Sequence, residues 1–343
     1  MGNPIRVLCV FSTLDRGGAE TMCMELYRHF DRSKVQLDFI KHTPNIGDFE
    51  KEIINLGGRI YEAPRFELLN LYKYFSWWNN HLDEHPEHQI IHGHFFTISA
   101  AFFRIAKKKG RTTVGHIHAS TIKGLIKNLM VKRISKYADY AFACSFKSGK
   151  WVYQNREFKV LHNALDTNVF KYSLLIREKT REELGIHNEL VIGTVANFSM
   201  VKNPNGLIDI FLAIKKNMPD VRLIWVGDGK LRPLIEDRIL QERISDSVLL
   251  LGVRSDVPRL LQAMDIFLLP SFNEGLPVSM IEAQAAGLPC FVSNTITKEA
   301  DITGLCHFLP INKPDIWASE ISNLKIKRMD MSKKIREDRK SVV

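Results

Sequence analysis

The chain alternates short β-branched runs with amphipathic stretches along most of its length, and no other feature constrains the fold as much. "IRVLCVF" (5–11) reads as a buried strand, and a helix is predicted from about Ala19 to Phe30 after a Gly-Gly turn. Then come "VQLDFI", a helix near Gly47–Leu56, "RIYEA", a helix holding Trp77 and Trp78, "QIIHGH", a helix rich in Ala and Phe, "TTVGHIH", a basic helix and "YAFACS". Strand–helix alternation predicts a parallel sheet covered on both faces. From about Val160 to Glu189 the rhythm breaks, with only a short helix predicted near Arg177–Leu184. It restarts with "ELVIGTVANF", a helix from Pro204 to about Met218, "VRLIWVG", a helix from Leu231 to about Arg243, "SVLLLG", a short helix near Val257–Ala263, "DIFLLP", another short helix and "PCFVS". The 343 residues exceed what one core usually organises. We therefore expect two doubly wound α/β domains, 1–165 and 189–323, with a join at 166–188 and a basic tail at 324–343. Ligands of such sheets bind beyond the carboxyl ends of the strands, so the expected site is a cleft between the two halves.

Composition narrows the function classes. Apolar residues make up 45% and charged residues 25%, the profile of a globular chain. No run of about 18 apolar residues is present, as a transmembrane helix would need, and the first apolar run is too short for a signal peptide. The five cysteines (Cys9, Cys23, Cys144, Cys290, Cys306) form no C-x-x-C pair, so a reduced, cytoplasmic setting is expected. Net charge is +10, and Arg104 to Lys136 holds ten Lys/Arg and no Asp or Glu. Such a patch suits nucleic acid, anionic lipid or phosphorylated ligands, but no nucleic-acid-binding module accompanies it. The terminal patch "LKIKRMDMSKKIREDRKSVV" reads as a solvated basic face.

Chemistry is expected in the loops at the strand ends. Gly17 and Gly18 open a helix whose first N–H groups can meet an anion. They are not a dinucleotide fingerprint, and "VGDGKL" does not complete one. His92 with His94, and His116 with His118, end neighbouring strands, and alternation puts each pair on one face. With no local carboxylate or cysteine, they are read as polar contacts to a ligand rather than as a metal site. Lys202 precedes a helix starting at Pro204, where a cation opposes the macrodipole, so an anionic ligand is expected beside it. In "PSFNEGLPVSMIEAQAAGLP", Glu274 stands in a loop and Glu282 eight positions later in a short helix. Gly275 and Pro277 let backbone approach a ligand, and the amides around Leu276, Val278 and Ser279 would face a phosphate. Glu282 can accept hydrogen bonds from a diol such as a ribose. Read singly, Glu274 is an acid at a helix start and Glu282 an exposed helix residue; their joint fit with Lys202 and the glycine loops favours function.

The same stretch resembles the E-x7-E segment of the retaining family-4 (group 1) glycosyltransferases, which have the two-domain GT-B fold. "RGGAE", "IIHGHFF", "HIHAS", "VLHNALDTNVF", "IGTVANFSMVKN", "LIWVGDGKL" and "LLLGVRSDVPRLLQAMDIFLLPS" also look like segments of that family, in its order, from about Ile5 to Asp315. The resemblance implies that Glu274 binds donor-sugar hydroxyls, Glu282 the ribose, and Lys202 the diphosphate leaving group. It implies that the amides after Gly275 and at Gly17 and Gly18 line the phosphate site, that His118 touches the donor sugar, and that the base lies near Val253 and Arg254. Two departures stand out. Asn197 occupies about the place of an arginine usual in the family, removing one positive charge. Many relatives also have a further C-terminal helix crossing back to the first domain; here the tail does this or the chain is truncated.

The implied reaction is retaining transfer from a nucleotide diphosphate sugar, expected to be UDP-linked, to a glycan or lipid-linked acceptor. A polyprenyl-diphosphate glycan in bacterial surface polysaccharide assembly fits. Charge on the leaving group would be stabilised by amides, helix dipoles and Lys202. There is no D-x-D motif, and no cofactor or metal is expected. Ile122, Leu125, Ile126, Leu129 and Met130 form an apolar stripe at helical spacing, flanked by Lys123 and Lys127. The stripe reads as packing against the sheet. The charges, with His94 and His116, are assigned to the acceptor side and to an anionic membrane surface. The alternatives are another GT-B activity on nucleotide sugars (epimerase or phosphorylase) and a non-catalytic nucleotide-sugar-binding protein. No nucleic-acid partner is expected, and the sequence leaves the oligomeric state open.

Overall fold

A computed structural model describes residues 3–94, 98–118, 125–162, 165–325, 328, 330–331 and 334–335. Contacts divide the chain into two compact units, with the boundary between residues 162 and 165.

The first unit contains β1 (Ile5–Val10), β2 (Val35–Lys41), β3 (Ile60–Glu62), β4 (His88–Gly93), β5 (Thr112–Ile117), β6 (Tyr140–Ala143) and β7 (Lys159–Val160). They form one sheet in the order β3-β2-β1-β4-β5-β6-β7, every described pair parallel. Helices on both faces bury it: Leu8, Val10, Ile40 and Ile91 pack with Trp78, Phe102 and Phe103, while Cys9, Phe11 and Phe39 pack with Met24 and Tyr27. A polar clamp sets the register of three adjacent strands. Asp38 on β2 accepts from Arg6 Nε (2.6 Å) on β1, binds His88 Nε2 (2.8 Å) on β4, and accepts from the Arg59 N–H (2.8 Å). Burial alone would raise the Asp38 carboxyl, but the bonds from Arg6, His88 and Arg59 overcome it and hold the group well below the usual carboxylate range.

The second unit contains β8 (Val191–Val195), β9 (Arg222–Val226), β10 (Val248–Gly252), β11 (Ile266–Leu269), β12 (Cys290–Ser293) and β13 (Cys306–Leu309), ordered β10-β9-β8-β11-β12-β13 and again parallel. Sheet order reverses beside β1 in the first unit and beside β8 in the second, which places a topological switch point at β1/β4 and at β8/β11. β11 and β12 are buried at every position, as strands covered on both faces must be.

Strands β7 and β13 escape the sequence reading, being two and four residues long with no diagnostic alternation. Residues 166–188, expected as a join, pack into the second unit. Their helix, Leu174–Glu183, begins three residues before the predicted start because Ser173 caps it. Its Arg177 donates to the carbonyls of Gln262 (3.0 Å) and Met264 (2.9 Å), and Arg181 pairs with Asp265 (3.2 Å). The tail also departs from the expected solvated face. Arg328 is half-buried, stacks over Tyr172 (4.4 Å), and donates to Gln262 and Met264 (2.9 Å each) and to Ala286 (3.2 Å). Those carbonyls end the helices Val257–Ala263 and Val278–Ala285, where a cation complements the helix dipole. Burial lowers the Arg328 guanidinium to about 10. Met331 and Ile335 are buried, so the described tail residues dock on the second unit.

The basic helix spans Leu125–Lys132, and its buried face differs from the expected stripe. Val131 and, one turn on, Ile134 are buried, Met130 is half-buried, and Leu129 is exposed. Ile122 lies outside the described residues, as do the side chains of Leu125 and Ile126.

The glycines of "VGDG" have a packing role. Trp225 donates from Nε1 to the Ala196 carbonyl (3.0 Å) and stacks on Phe198, drawing the ends of β8 and β9 together. Gly227 sits at φ +139°, and a Cβ there would lie 2.3 Å from the Ala196 oxygen. Gly185, at φ +64°, has open space around it. Gly227→Ala should therefore cost about 2–3 kcal/mol and Gly185→Ala about 1 kcal/mol, measured by urea unfolding. Equal costs would show that the close approach at Gly227 carries no energy.

Candidate functional site

In the second unit, two loops beyond the switch-point strands β8 and β11 bring together residues 72 positions apart. Lys202 ends a 3-10 turn (Met200–Lys202) that follows β8. Asn203 takes the left-handed conformation at φ 54°, and its side chain accepts from the Gly206 N–H (3.2 Å), capping the helix Pro204–Asn217. The same side chain donates to the Pro270 carbonyl (3.1 Å), and Phe272 N–H donates to the Val201 carbonyl (2.8 Å). These two bonds tie the turn to the loop after β11. Ser293 and Thr295 hold that loop from β12 by donating to the Ser271 carbonyl (2.5 and 2.9 Å). Lys202 Nζ then lies 2.6 Å from Glu274 Oε1, with side chains only 20% and 12% exposed. Lys202 thus has a carboxylate of the protein itself beside it. A largely buried pair of this kind interacts more strongly than an exposed one.

Helix Val278–Ala285 starts four residues after Glu274, with Pro277 at its cap. Gly275, Leu276 and Pro277 are buried, and Val278 and Ser279 are half-buried. The first N–H groups of a helix have no acceptor within it, so this start offers donors and a positive dipole end beside the ion pair. Glu282 is half-buried between the buried Ile281 and Ala283, rather than fully exposed. Asn197 is exposed just beyond β8. Val253 is 54% exposed beyond β10, and Arg254 forms a two-pronged pair with Asp256 (2.8 and 2.8 Å), which holds that carboxyl well below its usual range.

In the first unit, helix Gly18–His29 follows β1, with Gly17 at its cap. The sequence reading missed the group that meets this helix start. Glu20 folds back over it, so that a Cβ at Gly17 would lie 2.3 Å from Glu20 Oε2. Burial raises the Glu20 carboxyl to about 7, partly opposed by its own backbone N–H. The signal was in the sequence, since a glutamate at the third helical position reaches back toward the cap.

The histidine pairs fall on one face each, as alternation requires: ring centres lie 4.1 Å apart for His92 and His94 and 4.2 Å for His116 and His118. His94 Nδ1 meets His118 Nε2 at 2.9 Å, and the His94 ring stacks on Phe11. Burial lowers His92 to about 4 and His118 to about 3, and drives His94 and His116 well below the ordinary imidazole range. All four rings are neutral near pH 7. Lys123 and the side chain of Lys127 lie outside the described residues.

Glu20 gives a sign-definite pH effect. Its folded value is raised, so the folded state holds a proton that the unfolded state gives up first. Stability falls as pH rises between about 4.5 and 7 and then levels. Glu20→Gln, which stays neutral, should gain on the parent through that window by at most about 3 kcal/mol, taking about 1.4 kcal/mol per pH unit. Denaturant unfolding at stepped pH checks this; parallel curves for the two proteins would refute it.

Comparisons with known proteins agree with the fold. Residues 176–307 match the family described as glycosyl transferases group 1, and residues 16–169 match glycosyltransferase family 4. The provisionally assigned glycosyltransferase EpsF of Bacillus subtilis (strain 168) is 32% identical over 334 residues, covering 92% of this chain and 87% of that protein. A UDP-Gal:alpha-D-GlcNAc-diphosphoundecaprenol alpha-1,3-galactosyltransferase of Escherichia coli is 35% identical over 146 residues, 40% of this chain and 37% of that one. Among solved structures, Anabaena HepE in complex with UDP-glucose superposes with a TM-score of 0.77 at 20% identity, over 98% of this chain and 94% of that one, a likeness of fold. With two Rossmann-like sheets of the GT-B type and a relative matched over nearly its whole length, the chain belongs to the group 1 glycosyltransferases.

Proposed function

We propose that this glycosyltransferase moves a sugar from a UDP-sugar, with retention at the anomeric carbon, to a lipid-diphosphate-linked glycan in the assembly of a surface polysaccharide. The observation that carries this reading is the Lys202–Glu274 pair at the β8/β11 switch point, beside the start of helix Val278–Ala285. Breaking the anomeric C–O bond builds negative charge on the departing diphosphate. Lys202 and the helix-start amides supply fixed positive potential where that charge grows. Glu274, displaced from Lys202 by the phosphate, accepts hydrogen bonds from donor-sugar hydroxyls, and Glu282 accepts from the ribose. Arg254 and Val253 border the base. Asn197 carries no charge, so Lys202 bears more of the diphosphate charge than a Lys–Arg pair would. The transfer step is proposed to be metal-independent. The names of the Escherichia coli galactosyltransferase and of the UDP-glucose complex of HepE support the choice of donor and acceptor class.

Among the described residues, no helix is long and apolar enough to cross a membrane. We place the protein at the inner face of the cell membrane, with the basic segment around Lys123, Lys127, Lys132 and Arg133 toward anionic lipid; His116 is fully buried and His94 nearly so, which corrects their expected place on the acceptor side.

Thermal shift against a panel of nucleotides tests the reading. UDP and UDP-sugars at a hundredfold over Kd should stabilise the protein by about 2.7 kcal/mol; stabilisation by no nucleoside diphosphate would end the proposal. Retention is read from the anomeric configuration of the product by NMR, an α-linked donor giving an α-linked product. Lys202→Ala should lower turnover about 10²–10³-fold. Glu282→Ala should weaken UDP binding about tenfold or more, having lost a charged hydrogen-bond partner, with calorimetry as the check. In flotation assays, charge reversal at Lys123, Lys127, Lys132 and Arg133 should abolish binding to anionic vesicles, each residue being worth about 1 kcal/mol there. Undiminished binding would remove the membrane from the proposal.

A further inference from the structure

One guanidinium holds both ends of the segment that carries the two glutamates of the candidate site. Residues 264–286 run from the end of helix Val257–Ala263 through β11, the Glu274 loop and helix Val278–Ala285 to the carbonyl that closes it. At the start of this segment, Arg328 Nη1 donates to the carbonyls of Met264 and Gln262 (2.9 Å each). At its far end, Nε and Nη2 donate to the Ala286 carbonyl (3.2 and 2.5 Å). Tyr172 covers the guanidinium at 4.4 Å. A second tail residue acts on the same helix. Lys334 Nζ donates to the Thr303 carbonyl (2.7 Å), and the Thr303 N–H and hydroxyl donate to Oε1 of the buried Gln284 (3.2 and 3.0 Å). A cation serving only to cap would need the carbonyls of one helix end. Arg328 spans two, and the residues between them include Glu274 and Glu282.

We propose that Arg328 is a positioning residue for the transfer site, a clasp that sets how far helix Val278–Ala285 reaches past β11. This role rests on the function proposed above. The helix has eight residues and, at about 1.5 Å per residue, is a rod about 12 Å long. A shift at its clasped end is carried to its first turn, whose free N–H groups are assigned to the diphosphate. Glu282 travels with the same rod. The helix packs on β11 and returns toward the start of that strand, so clasp and Glu274 loop stand at opposite ends of one lever. Lysine would keep the charge but presents its donors from a single atom. It cannot bridge two sets of carbonyls with the planar fork that arginine offers.

Calorimetry with UDP alone, on the full chain and well below the Tm of each protein, tests the clasp. Arg328→Lys and Arg328→Met should each weaken UDP binding about tenfold, the loss of one hydrogen bond to a charged group as the helix start moves. Tyr172→Leu, which removes only the covering ring, should weaken it by less. If Arg328→Met does not fold, Arg328→Lys and Tyr172→Leu decide. Arg181 is the control for simple stability: it is buried and donates to the carbonyls of Ala263 (3.2 Å), His187 (3.0 Å) and Glu189 (2.6 Å) in the same unit. Arg181→Lys should lower Tm and leave UDP affinity unchanged. Parental affinity in Arg328→Lys and Tyr172→Leu, or an equal loss in Arg181→Lys, would overturn the clasp and leave the proposed function standing. A parent that binds no UDP would overturn both.

Discussion

Every strand described in the two sheets runs parallel to its neighbours, and that arrangement decides where polar groups can stand. A parallel sheet covered by helices on both faces has no solvated face on which to place a charge. Polar chemistry is forced to the strand ends. At β8 and β11 those ends carry Lys202 and Glu274; at β4 and β5 they carry four histidines. The opposite ends of β1 and β4 meet Asp38 in the clamp with Arg6 and His88, which fixes the register of the strands flanking the first switch point. A slip of one residue there would turn apolar side chains and ion partners to the wrong faces together.

The second unit shows how much of a local site is backbone. Lys202 and Glu274 meet because Asn203 and Phe272 bond across two loops and because Ser293 and Thr295 fasten one of those loops to the next strand. The glycines of 226–229 serve the same end, letting Trp225 draw the β9 loop against Ala196. None of these groups need touch a ligand, yet each fixes where a ligand-facing group can stand.

The alternating pattern was legible because each half repeats strand and helix with the right periods, and the strongest strands, β1, β8 and β11, are runs that only a doubly covered sheet accommodates. β7 was lost to its length and β13 to its lack of alternation, and the start of the second unit was lost because polar residues 166–188 hide Arg177 and Arg181, whose partners lie more than 80 positions away. The candidate site was legible as a set of residue types at strand ends. Which partner each group takes was not: that Lys202 faces Glu274 and that Arg328 packs against two helix ends both depend on distant chain segments meeting. The basic tail misled because charge predicts solvation on average, whereas carbonyls at helix ends give a guanidinium a buried alternative.

Under the proposed function, the contact between Lys202 and Glu274 also bears on the order of events. An ion pair of this kind acts as a latch: the Glu274 oxygen bonded to Lys202 is freed when a stronger anion takes the lysine. Under the proposed function only a phosphate group can take Lys202, and its arrival releases the carboxylate at the moment a sugar is delivered with it. A sugar without phosphate would meet a carboxylate still held by Lys202, so under the proposed function the phosphate has to arrive before or with the sugar.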